Sequence, residues 1–247
     1  MFTNLLKSIF DGGAGAAAGA DHPPDLPEIP DIPDRELYRP LFSPWLGAAD
    51  FWPYFQLAAP RTLVSPDRCY MLYTLLRQAM HVEGEIVECG VYKGGTAAMI
   101  AALLRDRCPA KKLYLFDTFE GMPETDPEKD LHRKGDFSDT TMESVAAYVG
   151  CAELCVIRKG VIPATFAGLE QLRVAFAHID VDIYQAILDS MAFLWPRLSV
   201  GGFVVFDDYG FPSCPGARAA VDEFFLDKHC VPLCLPTGQA LVFKGAP

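Results

Sequence analysis

Val174-Ala175-Phe176-Ala177-His178-Ile179-Asp180-Val181-Asp182-Ile183-Tyr184 is the stretch that decides the fold class of this chain. An apolar, β-prone run passes directly into two acids two residues apart. Gly202-Phe203-Val204-Val205-Phe206-Asp207-Asp208-Tyr209 repeats the pattern downstream. Runs of this kind fit strands buried on both faces of a parallel sheet. Acids at their ends converge on the carboxyl edge of the sheet, where open α/β folds bind their ligands. Four carboxylates gathered there repel one another unless a cation or raised pKa values relieve them. Such an oxygen-rich set suits a hard divalent cation such as Mg²⁺.

Working outward, helical and strand patterns alternate. Helices are expected over residues 67–80, 96–105, around 164–172, 184–195 and 215–228. Strands are expected over 86–89, 112–116, 154–158, 174–179 and 202–206, with two short ones at 230–235 and 240–244. This alternation indicates an α/β fold with a mostly parallel sheet and helices on both faces. The last two strands, joined by Pro236-Thr237-Gly238, read as an antiparallel hairpin at one edge. Between residues 120 and 150 the pattern lapses into a polar loop carrying Pro123, Lys129, His132, Arg133, Gly135 and Asp136. A long loop just after a strand reads as a lid over the active edge.

The N-terminal part is different. Phe2, Leu5, Leu6, Ile9 and Phe10 share one helical face, and residues 12–33 form a Gly/Ala-rich then Pro-rich linker. Residues 1–34 are therefore set apart from a single domain over 35–247. Tyr38, Leu41, Phe42, Trp45, Leu46, Phe51, Trp52, Tyr54 and Phe55 form a proline-broken aromatic cluster, expected as an irregular cover. Residues 1–10 and this cluster offer surfaces for self-association, and a homo-oligomer is expected.

Composition narrows the function classes. A net charge of −11 without a Lys/Arg stripe argues against nucleic acid as a partner. No apolar run approaches a membrane span, and the first residues do not read as a secretory signal. Eight cysteines without zinc-type spacing read as scattered thiols of a reduced, cytoplasmic protein.

Glu88-Cys89-Gly90-Val91-Tyr92-Lys93-Gly94-Gly95 follows a strand and opens a helix. Glycines there admit a ligand close to the backbone, and the helix N-terminus favours anionic groups. The Gly-x-x-x-Gly-Gly spacing departs from the dinucleotide fingerprint, and Glu88 suits a cationic group such as the amino end of a methionine moiety. Asp117 ends the next strand, where an acid can accept from both hydroxyls of a ribose. Asp180, Asp207 and Asp208 could together hold one metal ion. Asp182, pointing the same way as Asp180, would be free to take a proton from a substrate hydroxyl. The competing reading of these acids is helix capping and turns. His178 reads as a hydrogen-bonded structural histidine.

These three motifs, with Asp117-Thr118-Phe119-Glu120-Gly121-Met122-Pro123 between them as a fourth, resemble the macrocin O-methyltransferase (TylF-type) family in order from about residue 61 to 225. The resemblance implies a class I, Rossmann-like domain using S-adenosylmethionine and Mg²⁺ to methylate a sugar hydroxyl on a glycoside. It implies Asp180, Asp207 and Asp208 as metal ligands and Asp182 as general base. It places the methionine end of the cosubstrate near Glu88, Gly90, Tyr92, Asp180 and the Thr62–Ser65 segment, with the ribose on Asp117. Phe119, Asp136 and Phe137 are implied neighbours of the adenine. A catechol-type metal-dependent O-methyltransferase, an NAD-dependent oxidoreductase and a non-catalytic protein keeping the same pocket remain open at this point.

Overall fold

A computed structural model describes residues 49–246. The expected amphipathic segment at 1–10, the linker, the boundary at residue 34 and the first half of the aromatic cluster lie outside them.

In chain order the elements are α1 (Trp52–Ala58), α2 (Pro66–Ala79), β1 (Glu85–Cys89), α3 (Gly95–Arg107), β2 (Leu113–Asp117) and α4 (Met142–Val149). There follow β3 (Cys155–Lys159), β4 (Val174–Ile179), α5 (Tyr184–Arg197), β5 (Leu198–Phe206), α6 (Pro215–Phe225), β6 (Leu233–Cys234) and β7 (Ala240–Phe243). The strands form one sheet of order β3-β2-β1-β4-β5-β7-β6. β1 to β5 run parallel, while β7 pairs antiparallel with both β5 and β6. The expected mostly parallel sheet with an antiparallel C-terminal hairpin is what the chain adopts.

Strand alternation explains why both faces are covered. Ile86, Phe176 and Phe203 turn to one side, against Leu72, Leu76, Ile100 and Leu103 of α2 and α3. Val87, Ala177 and Val204 turn to the other, against Met191, Leu194 and Val221 of α5 and α6. The sheet reverses direction of growth between β1 and β4, and the acids that end β2, β4 and β5 are carried to that crevice.

Three expectations change. The helix around 164–172 is a single 3₁₀ turn, Ala164–Phe166, because Gly168 at φ +78° turns the chain out of the helical region. The aromatic cover is not wholly irregular. Residues 52–58 are helical, with Pro53 in the first turn, where its missing N–H costs nothing. The lid ends in an ordered helix, α4, whose N-cap Thr141 accepts from Ser144 N at 3.1 Å. No helix among the described residues is long and apolar enough to cross a membrane. All eight cysteines are free.

Candidate active site

At the carboxyl edge of β1, β2, β4 and β5 lies a cavity of about 770 Å³. The backbone around it is held in conformations that side chains ordinarily avoid. Among the described residues four non-glycines have positive φ, and all stand at this edge: Tyr92 (51°), Phe119 (53°), Phe137 (60°) and Asp182 (58°). Such strain persists only where surrounding contacts over-determine it, and it clusters at functional sites.

The glycine loop forms one wall. Gly90 has φ +84°, and a Cβ there would overlap the Asp180 carbonyl oxygen, so only glycine lets the β1 and β4 exits approach this closely. Asp117 secures the loop from β2. Its Oδ2 accepts from Val91 N at 2.7 Å and Tyr92 N at 2.9 Å, and its Oδ1 accepts from Phe119 N at 2.6 Å. The acid expected to meet a ribose thus clamps the backbone, and its remaining lone pair, on Oδ1, faces Thr118 Oγ1 at 3.5 Å.

The acids of β4 and β5 form the opposite wall. Asp180 N and Asp207 N donate to Cys89 O and Ile179 O, at 2.8 and 2.9 Å, extending the parallel ladder past the strand ends. Asp208 Oδ2 accepts from Asp182 N at 3.0 Å. Burial, then the neighbouring carboxylates, raises the pKa values of Asp180 and Asp208 well above the usual range. Burial likewise raises Asp182, although His132 opposes it. Asp207 goes the other way. Burial would raise it, but His178 and Arg68 outweigh that and hold it low. Arg68 pairs with its Oδ2, while Gln239 donates to Oδ1 at 2.8 Å.

Beneath these acids is a buried charge chain. His178 stands beside Glu88 in register on adjacent strands, and its two ring nitrogens face Glu88 Oε1 at 3.0 Å and Asp207 Oδ1 at 3.4 Å. Burial opposes the charge on His178, but these two acceptors push its pKa up to about 10. A protonated imidazole donates and does not ligate, so His178 belongs to the support of the site.

The lid closes the cavity. Asp130 is buried and caps α5, accepting from Tyr184 N at 2.9 Å where the N-cap Ile183 offers no side-chain acceptor. Lys129 Nζ lies 3.4 Å from the centre of the Tyr184 ring. A Cβ on Gly216 would overlap Asp130 Oδ1, so α6 leaves room for this anchor. His132 and Phe137 follow, with ring centroids 5.4 Å apart. Phe137 meets Tyr92 of the glycine loop edge-on at 5.5 Å.

Of the residues singled out in the sequence, Thr62, Gly90, Tyr92, Asp117, Phe137, Asp180, Asp182 and Asp208 line the cavity. Ser65, Glu88, Phe119, Asp136 and Asp207 do not. Ser65 bonds Asp67 and Arg68, Glu88 and Asp207 are sealed beneath the floor, Phe119 is core, and Asp136 closes a turn onto Arg133 N. Arg68, Asp130, Cys214 and Gln239 are not singled out in the sequence, and His132 is named there only as part of the lid. His132 and Asp130 lie in the lid that the sequence marked, whereas Cys214 reads locally as one more core thiol.

The donor set at the acids fits a hard cation. Asp208 is buried and Asp180 half-buried, and both have raised pKa values, which is the repulsion a divalent ion relieves. Arg68 supplies that compensation on Asp207.

Comparison with known proteins bears on the family and the fold. The sequence profile of the family described as Macrocin-O-methyltransferase (TylF) matches residues 52–232. An 8-demethyl-8-(2,3-dimethoxy-alpha-L-rhamnosyl)-tetracenomycin-C 4'-O-methyltransferase of Streptomyces olivaceus is 33% identical over 167 residues, 63% of this chain and 62% of that protein. Mycinamicin III 3''-O-methyltransferase of Micromonospora griseorubida is 28% identical over 188 residues, 68% of this chain and 71% of that protein. The match thus spans somewhat less than two thirds of the first relative's length. The O-methyltransferase NovP superposes with a TM-score of 0.67 over 75% of this chain and 83% of its own, at 24% identity, a likeness of fold.

Proposed function

The chain belongs to the macrocin O-methyltransferase family, and from that premise we propose that it transfers methyl from S-adenosylmethionine to a sugar hydroxyl of a glycoside, assisted by Mg²⁺. The observation that carries this reading is that one cavity joins the glycine loop and Asp117 to Asp180, Asp182 and Asp208. The names of the relatives, all O-methyltransferases and one of them naming a rhamnosyl group, support the acceptor class.

Each residue then has a task. The glycine loop, opened by Gly90, admits the cosubstrate against the backbone, with Thr62 at its methionine end and Asp117 at its ribose. Phe137 and Tyr92 provide apolar surface for the adenine, and the lid that carries Phe137 excludes water. Asp180 and Asp208 would hold Mg²⁺, with Asp207 joining them on exchange of its Arg68 pairing, and the ion would lower the pKa of a bound hydroxyl and orient it. Asp182, raised by burial, takes the proton from the acceptor hydroxyl as its oxygen bonds to the methyl carbon and the carbon–sulfur bond breaks. The sulfonium is already an activated leaving group, so alignment of oxygen, carbon and sulfur is the main contribution of the fold.

The test is calorimetric titration with S-adenosylhomocysteine in Mg²⁺ buffer, with NAD⁺ as control, followed by an acceptor screen among glycosides and catechols. Binding of S-adenosylhomocysteine alone and methylation of a glycoside are expected. Folded protein that ignores S-adenosylhomocysteine, or methylates only vicinal phenols, would overturn the reading.

A further inference from the structure

The wall of the cavity facing the lid carries a second constellation, which shares Asp182 with the proposed chemistry and adds two residues that methyl transfer does not require. His132 comes from the lid, Asp182 from the turn after β4, and Cys214 from the residue before α6. Cys214 Sγ lies 3.4 Å from Asp182 Oδ1 and 3.6 Å from His132 Nε2, and His132 Nε2 lies 3.7 Å from the same Asp182 oxygen. The three donors form a nearly equilateral triangle. In a tetrahedral zinc site, with bonds of about 2.3 Å to sulfur and 2.0 Å to nitrogen or oxygen, ligand atoms stand roughly 3.3–3.5 Å apart. The triangle is therefore one face of a tetrahedron already drawn to within a few tenths of an ångström.

Three further features point the same way. The donors are one thiol, one imidazole and one carboxylate, a set softer than the all-carboxylate cluster and suited to Zn²⁺ over Mg²⁺. The other ring nitrogen of His132 faces Asp136 Oδ2 at 3.4 Å, the carboxylate–histidine arrangement that fixes Nε2 as the ligating atom. All three residues line the cavity, so a fourth position opens toward space that a water can fill.

We propose that His132, Asp182 and Cys214 form a binding site for Zn²⁺, distinct from the carboxylate cluster, that ties the lid to the cavity wall. Binding releases the Cys214 proton, since the ligand is the thiolate. It also occupies the oxygen of Asp182 that faces the lid. If Asp182 is the general base, an inference that rests on the methyltransferase reading, zinc-loaded protein is closed and inactive. The binding itself needs no such premise.

Titration of the metal-free 247-residue chain with Co²⁺ tests the site without any turnover. The expected spectrum has a thiolate-to-cobalt charge-transfer band in the near ultraviolet and the intensified visible bands of tetrahedral cobalt. Cys214→Ser should remove the charge-transfer band, while Cys234→Ser, altering an exposed thiol, should keep it. Because Cys214 is buried, His132→Gln and Asp136→Ala supply variants at partly exposed positions. His132→Gln should abolish competition with a chromophoric zinc chelator, and Asp136→Ala, which leaves all three ligands, should weaken zinc binding about 10–100-fold. Octahedral cobalt spectra with no thiolate charge-transfer band at any Co²⁺ ratio, or zinc affinity unchanged in His132→Gln, would overturn the proposal; an octahedral signal beside that band is the carboxylate cluster filling. Binding of S-adenosylhomocysteine by the same samples reports on the methyltransferase reading separately.

Discussion

Glu88 Oε1 and His178 Nδ1 stand 3.0 Å apart with both side chains fully buried, joining the strand that leads to the glycine loop with the strand that leads to the acids. The other Glu88 oxygen has no hydrogen-bond partner. An ion pair of this kind holds two elements in register but leaves a costly charge when one partner is removed. Glu88→Gln should therefore destabilise the fold by about 3–5 kcal/mol. Urea unfolding followed by circular dichroism checks this, and an unchanged midpoint would mean that the pair contributes little.

Gly90→Ala meets the Asp180 carbonyl and forces a side chain to φ +84°. The strain costs at least about 1–3 kcal/mol and is relieved only by moving the β1 and β4 exits apart. The expected result is a lower melting temperature together with loss of S-adenosylhomocysteine binding. Retained affinity would show that the close approach is not needed for the cosubstrate.

Asp182→Asn keeps size and shape but leaves no base. Turnover should fall on the order of 10²–10⁴-fold, the usual worth of a positioned base. Affinity for S-adenosylhomocysteine should hold, because Asp182 belongs to the acceptor side. Single-turnover methyl transfer measured beside calorimetry separates the two effects, and unimpaired chemistry would remove Asp182 from its role.

Asp130→Ala deletes the side-chain cap of α5 and the anchor of the lid together. A lost cap costs about 1 kcal/mol. Limited proteolysis should then cut within residues 124–136 faster than in the parent, while the melting temperature drops by only a few degrees. Gly216→Ala, which crowds the same oxygen from α6, should give the same cleavage pattern.

Stripping divalent cations with EDTA should abolish methyl transfer, and Mg²⁺ should restore it. In Asp208→Asn the restoration should fail or require far more Mg²⁺, measured as the concentration giving half-maximal rate. Full activity in EDTA would return Asp180, Asp207 and Asp208 to a purely structural role.

Much of this site is legible in the sequence because its parts are local. An apolar run ending in an acid places Asp117, Asp180, Asp207 and Asp208 at strand ends, and alternation of strand and helix puts those ends on one edge. The requirement for glycine at position 90 is likewise visible as a glycine between strand and helix. The helix expected around 164–172 failed for a local reason too, since Gly168 outweighs the helical pattern around it.

What the sequence by itself determined, then, is the order of elements, the sheet they build and the edge where the acids gather, all set by periodicities a few residues long. Tertiary structure alone decided which charges meet. Arg68 reaches Asp207 across 139 residues, Asp130 reaches Tyr184 across 54, and Cys214 meets His132 across 82. No local pattern encodes those pairings. They arise because α2, the lid and the start of α6 are packed onto the same edge, where burial makes each unpaired polar group costly and selects the partner within reach.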